Sequence, residues 1–399
     1  MVNVEATGRT VAMRFAGAAT RHDASAPVVN VTAASDSAFG QYANFCAQAV
    51  HGPAQHPVWV RAWNDTTAAD VLLVTVERSG RTAFALALEV VATGPFRIAQ
   101  MPGGRHANGN FVAVARDAGG PMTQAEGKAL RDAIRRARPD IDLVVIERQN
   151  PTQEGLENPL SDFATARSPN VSLSVNLEGG FDATLERVGA KRKLKKYRLH
   201  LRKFETMGGY RLVRAGTPDE IRRIIDEFFA IKAERLRKAG IADSFGAPEI
   251  QAFFRRLFLD ALATQPRPYE LHALEVGGAI RAINGCSVTA NSVVCEFGGI
   301  RDDEPGTSPG FFLEYECVRE ACEEGKTVYD FSVGDEPYKR SWCDTETWQF
   351  DTMMPMNLKG RLLLAGKLVR GRLVHRIKSS DRLWSLVKRL RAATTRHAT

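Results

Sequence analysis

Apolar positions recur with a helical period in some stretches of the chain and alternate or run continuously in others, and the two kinds succeed one another. Residues 37–50 predict a helix, which His56-Pro57 separates from Trp59 and Trp63. Residues 71–77 and 82–91 predict two strands joined at Ser79-Gly80. A Gly-rich loop over 102–110 precedes a strand over 111–115. A helix over 123–138 opens with Thr123 as cap and Glu126 three residues on, and a continuous apolar strand over 141–146 follows.

The second part repeats this order more clearly. Residues 181–207 predict one long helix with Ala190, Leu194, Tyr197, Leu201 and Phe204 on one face, ended by Gly208-Gly209. A strand over 210–213, helices over 218–239 and 248–263, and strands over 269–276, 280–289 and 292–299 come next. The turns between those three strands are Gly277-Gly278 and Ala290-Asn291. A helix over 309–324, closed by Gly325, and a strand over 328–332 complete the unit. The repeated order predicts a tandem duplication in the α/β class. The expected organisation is a loose arm over 1–28, an N-terminal unit over 29–180, a C-terminal unit over 181–350 and a basic helical tail over 351–399.

Composition narrows the class. With 44% hydrophobic and 25% charged residues, the 399-residue chain is expected to fold rather than stay disordered. The most apolar run, 83–96, is 14 residues long and contains Glu89, too short to span a bilayer. Arg9, Arg14 and Arg21 stand near the start without an apolar core, so no secretory signal is expected. The 6 cysteines form no Cys-x-x-Cys pair and are expected as reduced thiols in a cytoplasmic protein. The net charge of +8 belongs to the tail: residues 359–399 carry twelve Lys or Arg and one acid, Asp381, so the other residues sum to −3. That distribution argues against a folded core built to bind nucleic acid. A second basic cluster, residues 191–203, fits either a solvated helix face or a groove for phosphates.

Two segments carry candidate chemistry. Thr307-Ser308-Pro309-Gly310 follows a meander and opens a helix; Pro309 suits the first helical position, and the N–H groups and dipole of that end favour a pyrophosphate. An ordinary helix start fits the same residues. The stretch 329–342, YDFSVGDEPYKRSW, ends a strand in a Gly loop bearing acid, hydroxyl, ammonium and indole groups. The basic helix KRKLKKYRLHLRKFETMGG, the helix start SPGFFLEYECVREACEEG and this loop together resemble the GNAT-like acetyltransferases of the cellulose and exopolysaccharide (CelD/BcsL) type. The layout also resembles Fem-type aminoacyl ligases, with HPVWVRAW marking the first half; the likeness covers about residues 30 to 350.

The resemblance implies tandem GNAT-like domains, each a mixed and largely antiparallel sheet flanked by helices. It implies transfer of an acyl group, acetyl first, from acyl-CoA to an amine or hydroxyl, with no metal. Aminoacyl-tRNA as donor, and a catalytically silent scaffold, are the alternatives. On this reading Glu296, on the strand that splays beside the donor, is the base, with an Arg-paired carboxylate as the other possibility. Lys339 matches a lysine used near the transferring carbonyl, or is solvated; Tyr338 protonates the leaving group or packs; Asp330 orients one of them or caps the loop. Ser308, Gly310, Phe311 and Lys195 are the expected donor contacts. Trp342 shapes the acceptor pocket, and Asp335 and Glu336 hold a cationic acceptor, a small molecule or saccharide. The chain departs from the usual pyrophosphate loop, with EPGTSPGFF in its place. The tail fits two helices broken near Ser379, either packed on the body with a basic face in water or lying on an anionic membrane at the inner face.

Overall fold

The N-terminal half lays strands out first, and its helices follow from capping signals already present in the sequence. The computed structural model describes residues 27–301 and 304–378, with the side chains of 372–378 left aside. Strand β1 (Val28–Ala33) leads to helix α1 (Asp36–Cys46), capped by Ser35. A short β2 (Ala49–Val50) and helix α2 (Pro57–Thr67) precede β3 (Asp70–Arg78), β4 (Arg81–Thr93), β5 (Phe96–Gln100) and β6 (Ala113–Ala115). Helix α3 (Gln124–Ala137) has the expected capping box of Thr123 and Glu126. Then come β7 (Leu143–Gln149), the small hairpin β8 (Thr152–Gln153) and β9 (Leu156–Glu157), and β10 (Ala166–Asn176).

The second half comprises α4 (Gly180–Val188), α5 (Ala190–Thr206), β11 (Tyr210–Arg214), α6 (Pro218–Lys238), α7 (Pro248–Leu262), β12 (Tyr269–Val276), β13 (Ala279–Val288) and β14 (Ser292–Ile300). It ends with α8 (Pro309–Glu323), β15 (Val328–Val333), the one-turn α9 (Pro337–Arg340), β16 (Thr345–Pro355) and α10 (Leu358–Lys378). The long helix expected over 181–207 is two helices, because Gly189 adopts φ +94°, a left-handed conformation that breaks the run. The tail expected from residue 351 starts later: β16 continues to Pro355, and α10 follows it among the described residues. The second tail helix, past Ser379, and the arm over residues 1–26 lie outside the described residues.

One sheet runs through both halves in the order β1-β3-β4-β5-β7-β16-β10-β15-β14-β13-β12-β11, with β2 and β6 beside β4. Its pairings are antiparallel except at two places, β5 with β7 and β14 with β15. These parallel pairs stand at corresponding positions of the two halves, so the fold is a tandem of GNAT-like sheets. The halves exchange their last strands. β10, which closes the first half in sequence, pairs with β15; β16, which closes the second, pairs with β7, and the two meet at the centre. An aromatic seam adds to this join: Trp59 and Trp63 of α2 pack edge-on against Phe253 of α7 at 4.9 and 4.8 Å between centroids. The Tyr269 hydroxyl donates to the Pro53 carbonyl across the same seam at 2.7 Å.

Side-chain alternation sorts the layers. In the second half α4, α5 and α8 cover one face; there Tyr197 of α5 stacks between Phe312 and Tyr315 of α8, centroids 4.8 and 4.3 Å away. The opposite face carries α6 and α7 over Leu271, Ile283 and Phe297. In the middle of that face β10, β15 and β16 set Ser172, Asp330, Thr347 and Gln349 side by side, so a polar strip, with Ser172 and Gln349 buried, stands in place of an apolar core.

Candidate functional site

β14 and β15 are in register only over Ser292–Val328, Val293–Tyr329 and Val294–Asp330. Beyond Asp330 they part: β14 stays with β13 to Ile300 and β15 stays with β10 to Val333. A wedge opens between them, and alternate backbone groups of β14 face it instead of a partner strand. At its neck the Ser332 hydroxyl donates to the Cys295 carbonyl at 2.8 Å. Ser332 holds φ +58°, an uncommon conformation for a residue with a side chain, and its N–H donates to Asp330 Oδ1 at 2.6 Å.

Glu296 sits on the wedge side of β14. The register of β13 against β14 shifts between Gly285–Phe297 and Cys286–Cys295, so Glu296 is the extra residue of a bulge, a device that re-aims a side chain. Its carboxylate accepts from Ser287 Oγ at 2.7 Å and from Asn108 Nδ2 at 3.0 Å. Asn108 belongs to the first half, and its amide also donates to the Glu296 carbonyl at 2.6 Å. Both side-chain donors are neutral, so the arginine pairing considered for Glu296 is not what is seen. Burial pushes the carboxyl up to about 7, with a further rise from Asp330; the Ser287 and Asn108 hydrogen bonds oppose the shift.

Asn108 is held from two directions. Gln349 of the exchanged strand β16 donates to the Asn108 carbonyl at 3.2 Å and to Asn150 Oδ1 at 2.9 Å. Arg148 of β7, at φ +56°, donates to the Ala107 carbonyl at 2.7 Å and the Arg105 carbonyl at 3.3 Å. The parallel pair β5–β7 of the first half also ends early, after Gln100–Val145, but its opening is filled. Asn110 N–H donates to the Arg148 carbonyl at 2.8 Å and Asn150 N–H to the Asn110 carbonyl at 2.9 Å, so residues 108–110 occupy the space a donor would need.

Lys339 of α9 is 5% exposed, which removes the solvated alternative. Its ammonium donates to the carbonyls of Val333 at 2.9 Å and Ser332 at 3.4 Å, and meets Glu336 at 3.2 Å. Those carbonyls lie on β15 just past Asp330, which puts the ammonium at the mouth of the wedge, and its charge acts on both Asp330 and Glu314 of α8. Asp330 also accepts from Ser172 Oγ at 3.1 Å, and burial raises its carboxyl above the ordinary range. Burial, Cys295 and Glu314 raise the half-exposed Tyr338 phenol. Lys232 of α6 reaches the Gly298 carbonyl at 3.1 Å, confirming that this carbonyl faces away from a partner strand.

On the α8 side the site contains groups that sequence reasoning missed. Lys193 is 2% exposed and stands over the Trp342 ring at 3.8 Å; Lys196 stands over Phe311 at 4.1 Å. Burial and the nearby Arg192 bring the Lys193 ammonium down to about 8, and burial raises Glu314 to about 8 despite Lys196, Lys193 and Lys339. Lys195, the residue expected here, is exposed; the helical spacing turns its neighbours at 193 and 196 inward instead. Lys203 donates to the Gly306 carbonyl at 2.6 Å and so fixes the turn before α8. His200, 3% exposed between Lys196 and Lys203, has both ring nitrogens without a hydrogen-bond partner.

Ser308 caps α8 without a side-chain hydrogen bond, leaving the first-turn N–H groups uncapped by it. Gly310 serves packing: a Cβ there would run into the Ile300 side chain, so the glycine lets α8 approach β14. Phe311 is half-buried, and Trp342 is fully buried with its indole N–H unpartnered. The expected acceptor carboxylates are already engaged: Asp335 pairs with Arg340, which also pairs with Glu346, and Glu336 pairs with Lys339. A cavity of about 240 Å³ lies elsewhere, beside β11 and the later turns of α8, lined by Arg214, His272, Glu316 and Glu320. Its charges satisfy each other through Arg214–Glu320 and Arg319–Glu316, so it does not compete with the wedge as a reaction site.

Residues 191–340 match the family of acetyltransferase (GNAT) domains. The fold is similar to the crystal structure of FemX, with a TM-score of 0.55 and 11% identity over 82% of this chain and 97% of that one. It is also similar to the C-terminal domain of a protein described as a lysylphosphatidylglycerol synthetase of Agrobacterium fabrum, TM-score 0.51, 14% identity, covering 84% and 97%. A conserved protein of unknown function from Bacteroides thetaiotaomicron gives 0.50 and 13%, covering 79% and 97%. No curated protein matches the sequence.

Proposed function

We propose that this protein transfers an acyl group from a phosphate-bearing donor, acyl-CoA first, to an amine or hydroxyl of an envelope saccharide. The observation that carries the reading is the wedge: one parallel strand pair is open, with a bulged carboxylate on one side and a buried ammonium at its mouth, while its counterpart in the other half is filled. An extended donor arm can hydrogen-bond along the unpaired edge of β14 as an added strand. Its phosphates would rest at the uncapped start of α8 (Ser308, Phe311), beside Lys193, Lys196 and His200.

The chemistry follows from placement. Glu296 takes the proton of the attacking amine or hydroxyl, for which a carboxyl near 7 is well matched. The nucleophile adds to the donor carbonyl, and Lys339 stabilises the oxyanion that forms. Glu336, 53% exposed, is the Lys339 partner that yields to it. Collapse breaks the carbon–sulfur bond, and Tyr338 returns a proton to the departing thiolate. Asn108 and Ser287 hold the base, and Trp342 floors the pocket under Lys193.

An aminoacyl-tRNA donor is the second reading, favoured by the exposed cations Lys191, Arg192, Lys195 and Arg198 outside the wedge. Thiol release from acyl-CoA in the presence of amine and sugar acceptors tests the first reading. Release that is lost in Glu296→Gln supports it. No acyl-CoA binding by calorimetry, with ribonuclease-sensitive transfer of a labelled amino acid from charged tRNA, replaces it with the second.

A further inference from the structure

We infer that the outer face of α10 docks onto an anionic lipid surface. The helix is fixed to the body by its inner face. Leu363 and Leu364 pack on Ile98, Leu143, Val145 and Met353, and Gly360 lies so close to the Asp142 carbonyl that no Cβ would fit. Asn357 accepts from the Gly360 N–H at 2.9 Å and donates to Asp142 at 2.8 Å. Lys359 donates to the Pro95 carbonyl at 3.0 Å, and Lys367 stands 3.8 Å from Glu147.

This anchoring turns a second apolar stripe to solvent. Leu358 is 75% exposed, Leu362 74% and Val369 63%, and the exposed Ala365 falls between them at helical spacing. Arg361 and Arg370 flank the stripe and are exposed. Residues 358–378 contain no acidic residue and seven Lys or Arg.

Charge and shape select the occupant. A second copy would bring two such acid-free helices together, so self-pairing meets like-charge repulsion. Nucleic acid offers phosphates but no use for aliphatic side chains; stacking needs aromatic groups, and the stripe has none. An anionic bilayer satisfies both features: acyl chains take Leu358, Leu362 and Val369 while head groups meet the arginines. With so few apolar groups the attachment is reversible and needs both contributions. Among the described residues no helix is long and apolar enough to cross a membrane, so α10 lies on the surface.

The test is co-sedimentation of the full chain with phosphatidylcholine vesicles prepared with and without phosphatidylglycerol. Binding is expected only with phosphatidylglycerol and is expected to weaken as salt rises. Leu362→Ser/Val369→Ser and, separately, Arg361→Gln/Arg370→Gln should each reduce it roughly tenfold or more. All four side chains are exposed, and an unchanged melting curve confirms folding; if the serine pair shifts it, Leu362→Ala/Val369→Ala replaces that pair. Equal binding to neutral vesicles, or full binding by the apolar double variant, would overturn the inference. So would a dimer that this variant abolishes, or retention on tRNA with none on vesicles.

Discussion

Asn108→Ala removes the side-chain donor that the first half sets against the proposed base. In the folded protein Asn108 Nδ2 donates to Glu296 Oε2 at 3.0 Å, a bond that favours the ionised carboxylate. A hydrogen bond to a charged group contributes about 1.5–3 kcal/mol. Water entering the vacated space restores part of that, so a net loss of about 1.4 kcal/mol is a fair expectation, equal to about one pKa unit. The carboxyl, near 7 in the native protein, then moves up. Because the base acts deprotonated, kcat/KM rises with pH through its pKa, and the acid limb of the profile moves up by that unit. Near pH 7 the ionised fraction falls from about a half to about a tenth, a roughly fivefold loss, while well above the limb the variant approaches the native rate. The assay is thiol release against pH for native protein and variant. Glu296→Gln, run in parallel, should lose the limb altogether and about 10²–10⁴ in rate. A drop equal at every pH, with the limb in place, would mean that Asn108 only supports the fold and would refute the positioning argument.

Three further outcomes are expected. Lys193 is cationic below about 8, where Glu314 is neutral, so the donor KM should be flat at lower pH and climb above that value; Lys193→Ala should raise KM and flatten the climb. Lys339→Met should lower kcat by about 10²–10³ with little change in donor affinity measured by calorimetry. Gly310→Ala should cost about 1–3 kcal/mol in urea unfolding by pressing on Ile300, and Ile300→Val in the same chain should recover part of it.

Much of the fold could be read from periodicity because most elements bury one apolar face. The stripe Ala190, Leu194, Tyr197, Leu201 and Phe204 packs into the core under α8, and the three-strand meander is β12–β14. The exchanged strands β10 and β16 are not placed that way. Val171, Leu173 and Val175 do alternate with Ser172 and Ser174, and Trp348 and Phe350 with Thr347 and Gln349, but each strand pairs with the other half across a shifted register, which local periodicity does not show. The division at residue 350 fell inside β16 for the same reason. At the site, Glu296 is found through its place on the meander strand and Lys339 through the loop GDEPYKRSW, both by the resemblance to GNAT-like and Fem-type enzymes. Asn108 is not found so, because its role arises only when a loop of one half meets a strand 188 residues away. Lys193 and Lys196 were hidden among eight cations of one cluster, where only the rotation of α5 on α8 separates them from Lys195. Asp335 and Glu336 looked free in sequence, but α9 brings Lys339 and Arg340 back onto them.

A structure of the protein with a non-hydrolysable acyl-CoA analogue tests the central claim most directly. The account predicts the pantetheine arm between β14 and β15, its phosphates at Ser308 and Phe311, and the carbonyl oxygen within hydrogen-bonding distance of Lys339. An analogue lodged in the cavity beside Arg214 and His272, or a wedge that stays closed around Ser332 and Cys295 with the donor bound elsewhere, would contradict it.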